Sequence, residues 1–77
     1  MTLTQATQKR IYDLAIRMDL SIYGLAKKCG VARSTISAMP EFDSIGLIFI
    51  KNICDGLGIT LKEFFDSPLF DRSNLSD

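Results

Sequence analysis

The sequence contains no histidine, so it lacks the side chain most often used as a general base or as a metal ligand near neutral pH. It also lacks a glycine-rich phosphate loop, and no paired carboxylates precede a helix in a catalytic arrangement. We therefore expect no enzymatic activity, no cofactor, no metal site and no small-molecule substrate.

Long apolar runs and cysteine pairs are missing as well. The longest apolar stretch, Leu47 to Ile50 with Ile45 nearby, is far too short to span a bilayer, and no secretory signal pattern is present. The two cysteines, Cys29 and Cys54, lie in apolar helical patterns without a CxxC spacing, which favours buried thiols over a disulfide or a metal site. We expect a cytoplasmic protein that makes no membrane contact.

The length and composition fit one small globular domain. The 77 residues are 47% hydrophobic and 23% charged, which is enough for a single compact core. We assign residues 1–67 to this domain and residues 68–77, which show no usable periodicity, to a C-terminal tail.

The formal net charge is zero, but the charges are unevenly distributed along the chain. Residues 1–39 hold six basic and two acidic residues, a net charge of +4, and the remainder holds three basic and seven acidic residues, a net charge of −4. Such a chain can present one basic face to a nucleic acid. The alternative is a solvated surface whose charges segregate by chance.

Apolar residues recur at helical spacing in five segments. The predicted helices run from about Gln5 to Met18, from Ser21 to Gly30, from Arg33 to Pro40, from Ser44 to Gly58, and from Thr60 to Phe65. Ser21, Ser44 and Thr60 are the predicted N-caps, and Gly30 and Gly58 are the predicted ends. The residues expected to face the core are Ile11, Leu14, Ala15, Met18, Ile22, Leu25, Ala26, Cys29, Thr35, Ile36, Met39, Leu47, Ile50, Ile53, Cys54 and Leu57.

The second and third helices are joined by a short turn at Gly30 and Val31, which indicates a helix-turn-helix over residues 21–39. The string LSIYGLAKKCGVARSTISAM, from Leu20 to Met39, resembles the Cro/C1-type (XRE) repressor family in its Leu-Ala-x-Lys, Gly-Val and Ile positions. NICDGLGITLKEFF, from Asn52 to Phe65, is similar to the closing helices of that family. The resemblance covers roughly residues 11–65.

The resemblance implies an all-α, compact, five-helix, lambda-repressor-like DNA-binding domain. It further implies a dimeric transcriptional regulator, most simply a repressor, with its third helix in the major groove of an operator. The candidates for base readout are Arg33, Ser34, Ser37 and Ala38, since an arginine can donate two bonds to guanine and an alanine methyl can meet a thymine methyl. The candidates for contact with the DNA backbone are Ser21, Tyr23, Lys27, Lys28 and Thr35. For each lysine, an equally weighted alternative is that it simply occupies the solvent-exposed face of an amphipathic helix.

Two departures from the family pattern bear on DNA binding. Ala32 occupies the position where a capping hydroxyl or carboxamide is usual before the third helix. The segment from Met39 to Asp43 replaces a polar, often basic loop, and its two acids oppose an approach to phosphates.

Ile48 and Phe49 lie off the predicted core stripe of the fourth helix. We expect either Leu69 and Phe70 of the tail or a second copy of the chain to cover them, and the dimer is favoured because exposed apolar patches mark interfaces. The main competing function is a helix-turn-helix protein-interaction module, such as an antitoxin-like or regulatory subunit. It would bind its partner through Phe42, Ile48, Phe49 and the acidic second half.

Overall fold

The computed structural model describes all 77 residues as an all-helical chain without strands, which confirms the predicted fold class. The five helices are α1 (Leu3–Arg17), α2 (Ile22–Cys29), α3 (Arg33–Ala38), α4 (Leu47–Leu57) and α5 (Leu61–Phe65). One 3₁₀ turn, Met39–Glu41, lies directly after α3, and two more, Pro68–Phe70 and Arg72–Asn74, lie after α5. None of the helices combines the length and apolar character needed to cross a bilayer.

The predicted ends of α2 and α5 are confirmed. The Ser21 hydroxyl accepts a hydrogen bond from Gly24 N at 2.9 Å, and Thr60 forms a reciprocal capping box with Glu63. Hydrogen bonding to the Thr60 backbone lowers the pKa of the Glu63 carboxyl. Gly30 ends α2 with φ at 67°, a left-handed conformation that a residue with a Cβ rarely adopts.

The start of α4 differs from the sequence prediction. Ser44 is not its N-cap: the helix begins at Leu47, Gly46 occupies the cap position, and no side chain caps it. Leu47 was predicted to be buried and is 72% exposed, because as the first residue of α4 it lies at the edge of the packed core. Met18 was also predicted to be buried, but it follows the end of α1 and is exposed.

One hydrophobic core is shared by all five helices. Leu25 from α2, Ile36 from α3 and Phe64 from α5 are fully buried in it. Cys29 and Cys54 are free, buried thiols as predicted, and burial raises the pKa of both. The most extensive helix–helix packing joins α2 to α4.

The C-terminal residues pack against the rest of the chain. Phe70 packs on the core, and its ring centroid lies 5.0 Å from that of Phe65. Ser76 N donates to Met1 O at 2.8 Å, and the Asp77 carboxylate accepts from Leu3 N at 2.9 Å. The boundary that the sequence indicates between residues 67 and 68 stays a prediction.

Candidate nucleic-acid interface

The helices α2 and α3 are joined by a tight turn, an arrangement compatible with a helix-turn-helix. After Gly30 the Val31 amide donates to Ala26 O at 3.0 Å, and the Val31 side chain packs against the core. These contacts fix the direction in which the chain leaves α2. The helix α3 therefore begins at Arg33 in a defined orientation relative to α2.

The helix α3 is amphipathic, with one face in the core and one face in solvent. Ile36 and the following Met39 have no exposed surface, whereas Arg33, Ser34 and Ser37 are exposed. The only ion pair in the chain joins Lys51 and Asp55, so the Arg33 guanidinium has no carboxylate partner. An unpaired arginine beside two hydroxyls is a surface that can donate hydrogen bonds to base edges or phosphates.

Two further predicted contact residues on α3 are less accessible. Ala38 and Thr35 are both half-buried. The Thr35 amide donates to Ala32 O at 3.1 Å, and Ala32 caps the helix without any side-chain hydrogen bond. The exposed surface of α3 is therefore centred on Arg33, Ser34 and Ser37.

The backbone-contact candidates on α2 lie on two different sides of that helix. Tyr23 and Lys27 are exposed and four residues apart, so they share one side. Ser21 and Lys28 are exposed and seven residues apart, so they share another. The two lysines diverge by about 100° around the helix axis. The α2 candidates therefore do not form a single stripe along the helix.

Arg10 contributes nothing to a basic face, although it counts toward the positive charge of the first 39 residues. Its side chain is 5% exposed, its Nε donates to Phe64 O at 2.7 Å, and its Nη2 donates to Glu63 O at 2.8 Å. Arg10 therefore binds the carbonyl oxygens at the C-terminal end of α5. The positive charge available to a ligand is smaller than the sequence indicates.

Gln8 is a residue of this region that the sequence analysis did not single out. Its Nε2 donates to Ile36 O at 3.0 Å and to Ser37 O at 3.2 Å, so α1 holds the carbonyl end of α3. Carbonyls in the last turn of a helix lack partners inside the helix. Ile36 O also accepts from Met39 N, and Gln8 adds a side-chain donor to this end of the exposed helix.

The acidic segment after α3 is exposed. Met39 is buried and Pro40 is half-buried, but Glu41, Phe42 and Asp43 all face solvent. The two carboxylates therefore remain near the end of α3, where they oppose an approach to phosphates.

The four candidate residues for the dimer interface, Ile48 and Phe49 on α4 with Leu69 and Phe70 of the tail, do not form one exposed patch. Ile48 is 74% exposed, so the tail leaves it uncovered. Phe49 was predicted to lie off the core stripe but is half-buried and packs against the core, and Leu69 and Phe70 are half-buried as well. Successive residues of a helix point in directions about 100° apart, so Phe49 reaches the core whereas Ile48 faces outward. No three His, Cys, Asp or Glu side chains lie together in a group that could hold a metal ion.

No protein-family model matches the chain, and no curated protein matches it. Among solved structures, it is similar to the crystal structure of the prophage Lp1 protein 11, with a TM-score of 0.78 and 28% sequence identity. The match covers 88% of this chain and 92% of the prophage protein. The chain therefore shares its fold, over nearly the whole length of both molecules, with a protein from a prophage.

Proposed function

We propose that the chain is a transcriptional regulator, most simply a repressor, of the Cro/C1 (XRE) type, which binds a specific double-stranded DNA operator as a homodimer. The observation that carries the proposal is the outward face of α3: Ile36 is fully buried, while Arg33, Ser34 and Ser37 are exposed. The shared fold with a prophage protein supports it.

In this proposal α3 enters the major groove and reads base edges. Arg33 donates two parallel hydrogen bonds to guanine N7 and O6, and Ser34 and Ser37 contact bases or phosphates. Ala38 adds a methyl contact to thymine at the edge of the interface. The Thr35 hydroxyl lies at the edge of the interface, where it can contact a phosphate.

Affinity for the DNA backbone comes from α2. The hydroxyl of Ser21 accepts from Gly24 N and still has a hydrogen to donate to a phosphate. Lys27 and Lys28 add positive charge, and Tyr23 adds a donor next to Lys27. The activity needs no catalysis and no cofactor, and we assign it to the cytoplasm.

A second candidate function is supported by the exposed acidic segment. Glu41 and Asp43 flank the exposed Phe42, and Ile48 lies close by in the sequence. An acidic and apolar surface of this kind suits a protein partner better than a phosphate backbone. In this alternative the chain is an antitoxin-like or regulatory subunit.

Selection from a randomised duplex library at low and at physiological salt tests the proposal. We expect enrichment of a palindromic site whose half-sites lie about 34 Å apart, one DNA turn. Binding that weakens with salt but enriches no sequence would contradict specific recognition. An absence of binding at low salt would favour the protein-interaction module.

Replacing Arg33 with alanine tests the base-readout assignment. We expect a loss of about 1–3 kcal/mol in binding free energy and a relaxed preference at one base pair, because the bidentate contact to guanine is removed. Fluorescence anisotropy with the selected site and its single-base variants measures both effects. Lys62→Ala on the exposed side of α5 is the control. An equal loss on every sequence would make Arg33 a phosphate contact.

Replacing Gln8 with alanine tests whether the carbonyl end of α3 must be anchored. We expect the free energy of unfolding to fall by about 1 kcal/mol, since two hydrogen bonds are lost. Operator affinity should fall as well, although Gln8 touches no base, and amides of α3 should exchange faster with deuterium. Lys9→Ala, an exposed neighbour on α1, is the matched control. If both variants bind the operator alike, this anchor has no role in recognition.

A further inference from the structure

The first turn of α4 carries an apolar surface that nothing in the chain covers. Leu47 is 72% exposed and Ile48 is 74% exposed, side by side at the start of the helix. Exposed side chains of this size in a contiguous patch mark an interface. Neither residue contributes to the reading surface of α3.

A cleft between the beginnings of α1 and α4 adjoins this turn, and we refer to it as the α1–α4 cleft. Its lining includes Asp43 and the five apolar side chains of Leu3, Ile45, Leu47, Ile50 and Phe65. Its volume of about 170 Å³ is below the roughly 300–1,000 Å³ of typical small-molecule pockets. The cleft therefore suits one inserted apolar side chain better than a free ligand.

The charges around this turn are arranged so that the surface complements itself. Asp43 precedes Leu47 and lines the cleft, whereas Lys51 lies one helical turn after Leu47 on the outer side of α4. The surface thus runs from an acidic side chain through an apolar centre to a basic one. Two such surfaces match when a twofold axis passes through the apolar centre and the two helices run antiparallel.

We propose that the occupant of this surface is a second copy of the chain, docked about a twofold axis near Leu47, which lines the α1–α4 cleft and directly precedes Ile48. Ile48 of the partner subunit enters the α1–α4 cleft, and each Lys51 lies opposite Asp43 of the partner subunit. The rise of 1.5 Å per residue places Lys51 about 5–6 Å beyond the apolar pair, level with the segment that precedes α4 in the partner. Lys51 bonds Asp55 in its own chain and retains further N–H groups for a second carboxylate.

This inference rests on the proposed function in one respect, since it identifies the surface by which the operator-binding dimer forms. It also gives the acidic segment after α3 a role. In the dimer a lysine of the other subunit compensates Asp43, so that its charge opposes the DNA backbone less. Specific binding and an acidic segment near α3 are then compatible.

Sedimentation equilibrium of the full chain without DNA, from micromolar to millimolar concentration, tests the interface. We expect the mass to rise from that of the 8.6 kDa chain toward twice that value. Ile48→Glu should weaken association by more than about 100-fold, because the symmetry places two unpaired charges in an apolar interface. Ile16→Glu, the same change at a 76% exposed apolar position on α1, is the matched control and should associate normally.

Folding of the Ile48→Glu variant is checked by circular dichroism. We expect native helicity, since the position is exposed and an acid in the first turn interacts favourably with the helix dipole. Charge reversal gives a second test: Lys51→Glu and Asp43→Lys alone should each weaken association about tenfold, and the double variant should restore it. Restoration requires that the two residues face each other across the interface.

Three results would overturn the proposal: a wild-type mass that stays at one chain at millimolar concentration, Ile48→Glu associating like the wild type, or a double charge reversal that is not restored. None of these depends on DNA. The proposed function is measured separately with a duplex carrying one half-site, to which folded monomeric Ile48→Glu should bind as the wild-type monomer does. Loss of half-site binding with an intact dimer would reject the DNA-binding proposal and leave the interface standing.

Discussion

Replacing Gly56 with alanine will lower the free energy of unfolding by about 3 kcal/mol, although alanine is the better helix former. Gly56 lies in α4 where this helix crosses α2 at close range. A Cβ placed on Gly56 would sit 2.6 Å from both Cα and Sγ of Cys29. Since one of these atoms belongs to the backbone, the two helices must move apart and the core between them loosens.

Urea denaturation monitored by circular dichroism measures this loss. Gly46→Ser is the control, because a Cβ at Gly46 meets nothing within 4 Å and serine is a favourable N-cap. Combining Gly56→Ala with Cys29→Ala separates two causes, because it removes the thiol but leaves the Cys29 Cα in place. We expect no rescue. A double variant as stable as Cys29→Ala alone would show that only the sulfur was in the way.

Helix ends that depend on local chemistry could be predicted from the sequence. Ser21 and Thr60 cap the helices that they were expected to cap, and Gly30 and Gly58 end theirs with positive φ. Each of these depends on a side chain or backbone conformation within a few residues of the helix end. The capping box of Thr2 and Gln5 at the start of α1 carries the same kind of signal, and it was missed.

The start of α4 could not be predicted in this way. The spacing of Leu47 with Ile50, Ile53 and Leu57 is what a buried stripe would show, but burial also requires a neighbour to pack against. The position of that neighbour is decided by how α1 and α5 pack, which the local pattern does not encode. Leu47 therefore continues the stripe in the sequence while lying outside the core.

The outward face of α3 was predictable because it follows from amphipathic spacing, whereas its support from α1 was not. In the sequence Gln8 and Arg10 look like ordinary polar residues on an exposed helix face. In the fold each reaches a short helix remote in the sequence, Gln8 at the end of α3 and Arg10 at the end of α5. Helices of six and five residues are unstable alone, so both depend on such partners.

The hydrogen bonds of Arg10 to α5 should contribute to stability about as much as the close packing at Gly56. Replacing Arg10 with methionine will lower the free energy of unfolding by about 3 kcal/mol. Methionine keeps much of the apolar volume but removes both donors, which leaves Phe64 O in a buried place without its partner. Arg10→Lys should recover only part of the loss, since an ammonium lacks the planar fork that reaches Phe64 O and Glu63 O together.

Urea denaturation again measures the effect, with Arg17→Met as the matched control on the exposed last turn of α1. The control should stay within about 0.5 kcal/mol of the wild type. Hydrogen exchange adds a local reading: loss of the Arg10 bonds should release the amides of α5 before those of α4, since α5 loses its carbonyl partners directly. Equal losses for the two arginine variants would mean that the α1–α5 contact contributes only charge, and that packing of Phe64 alone holds α5 in place.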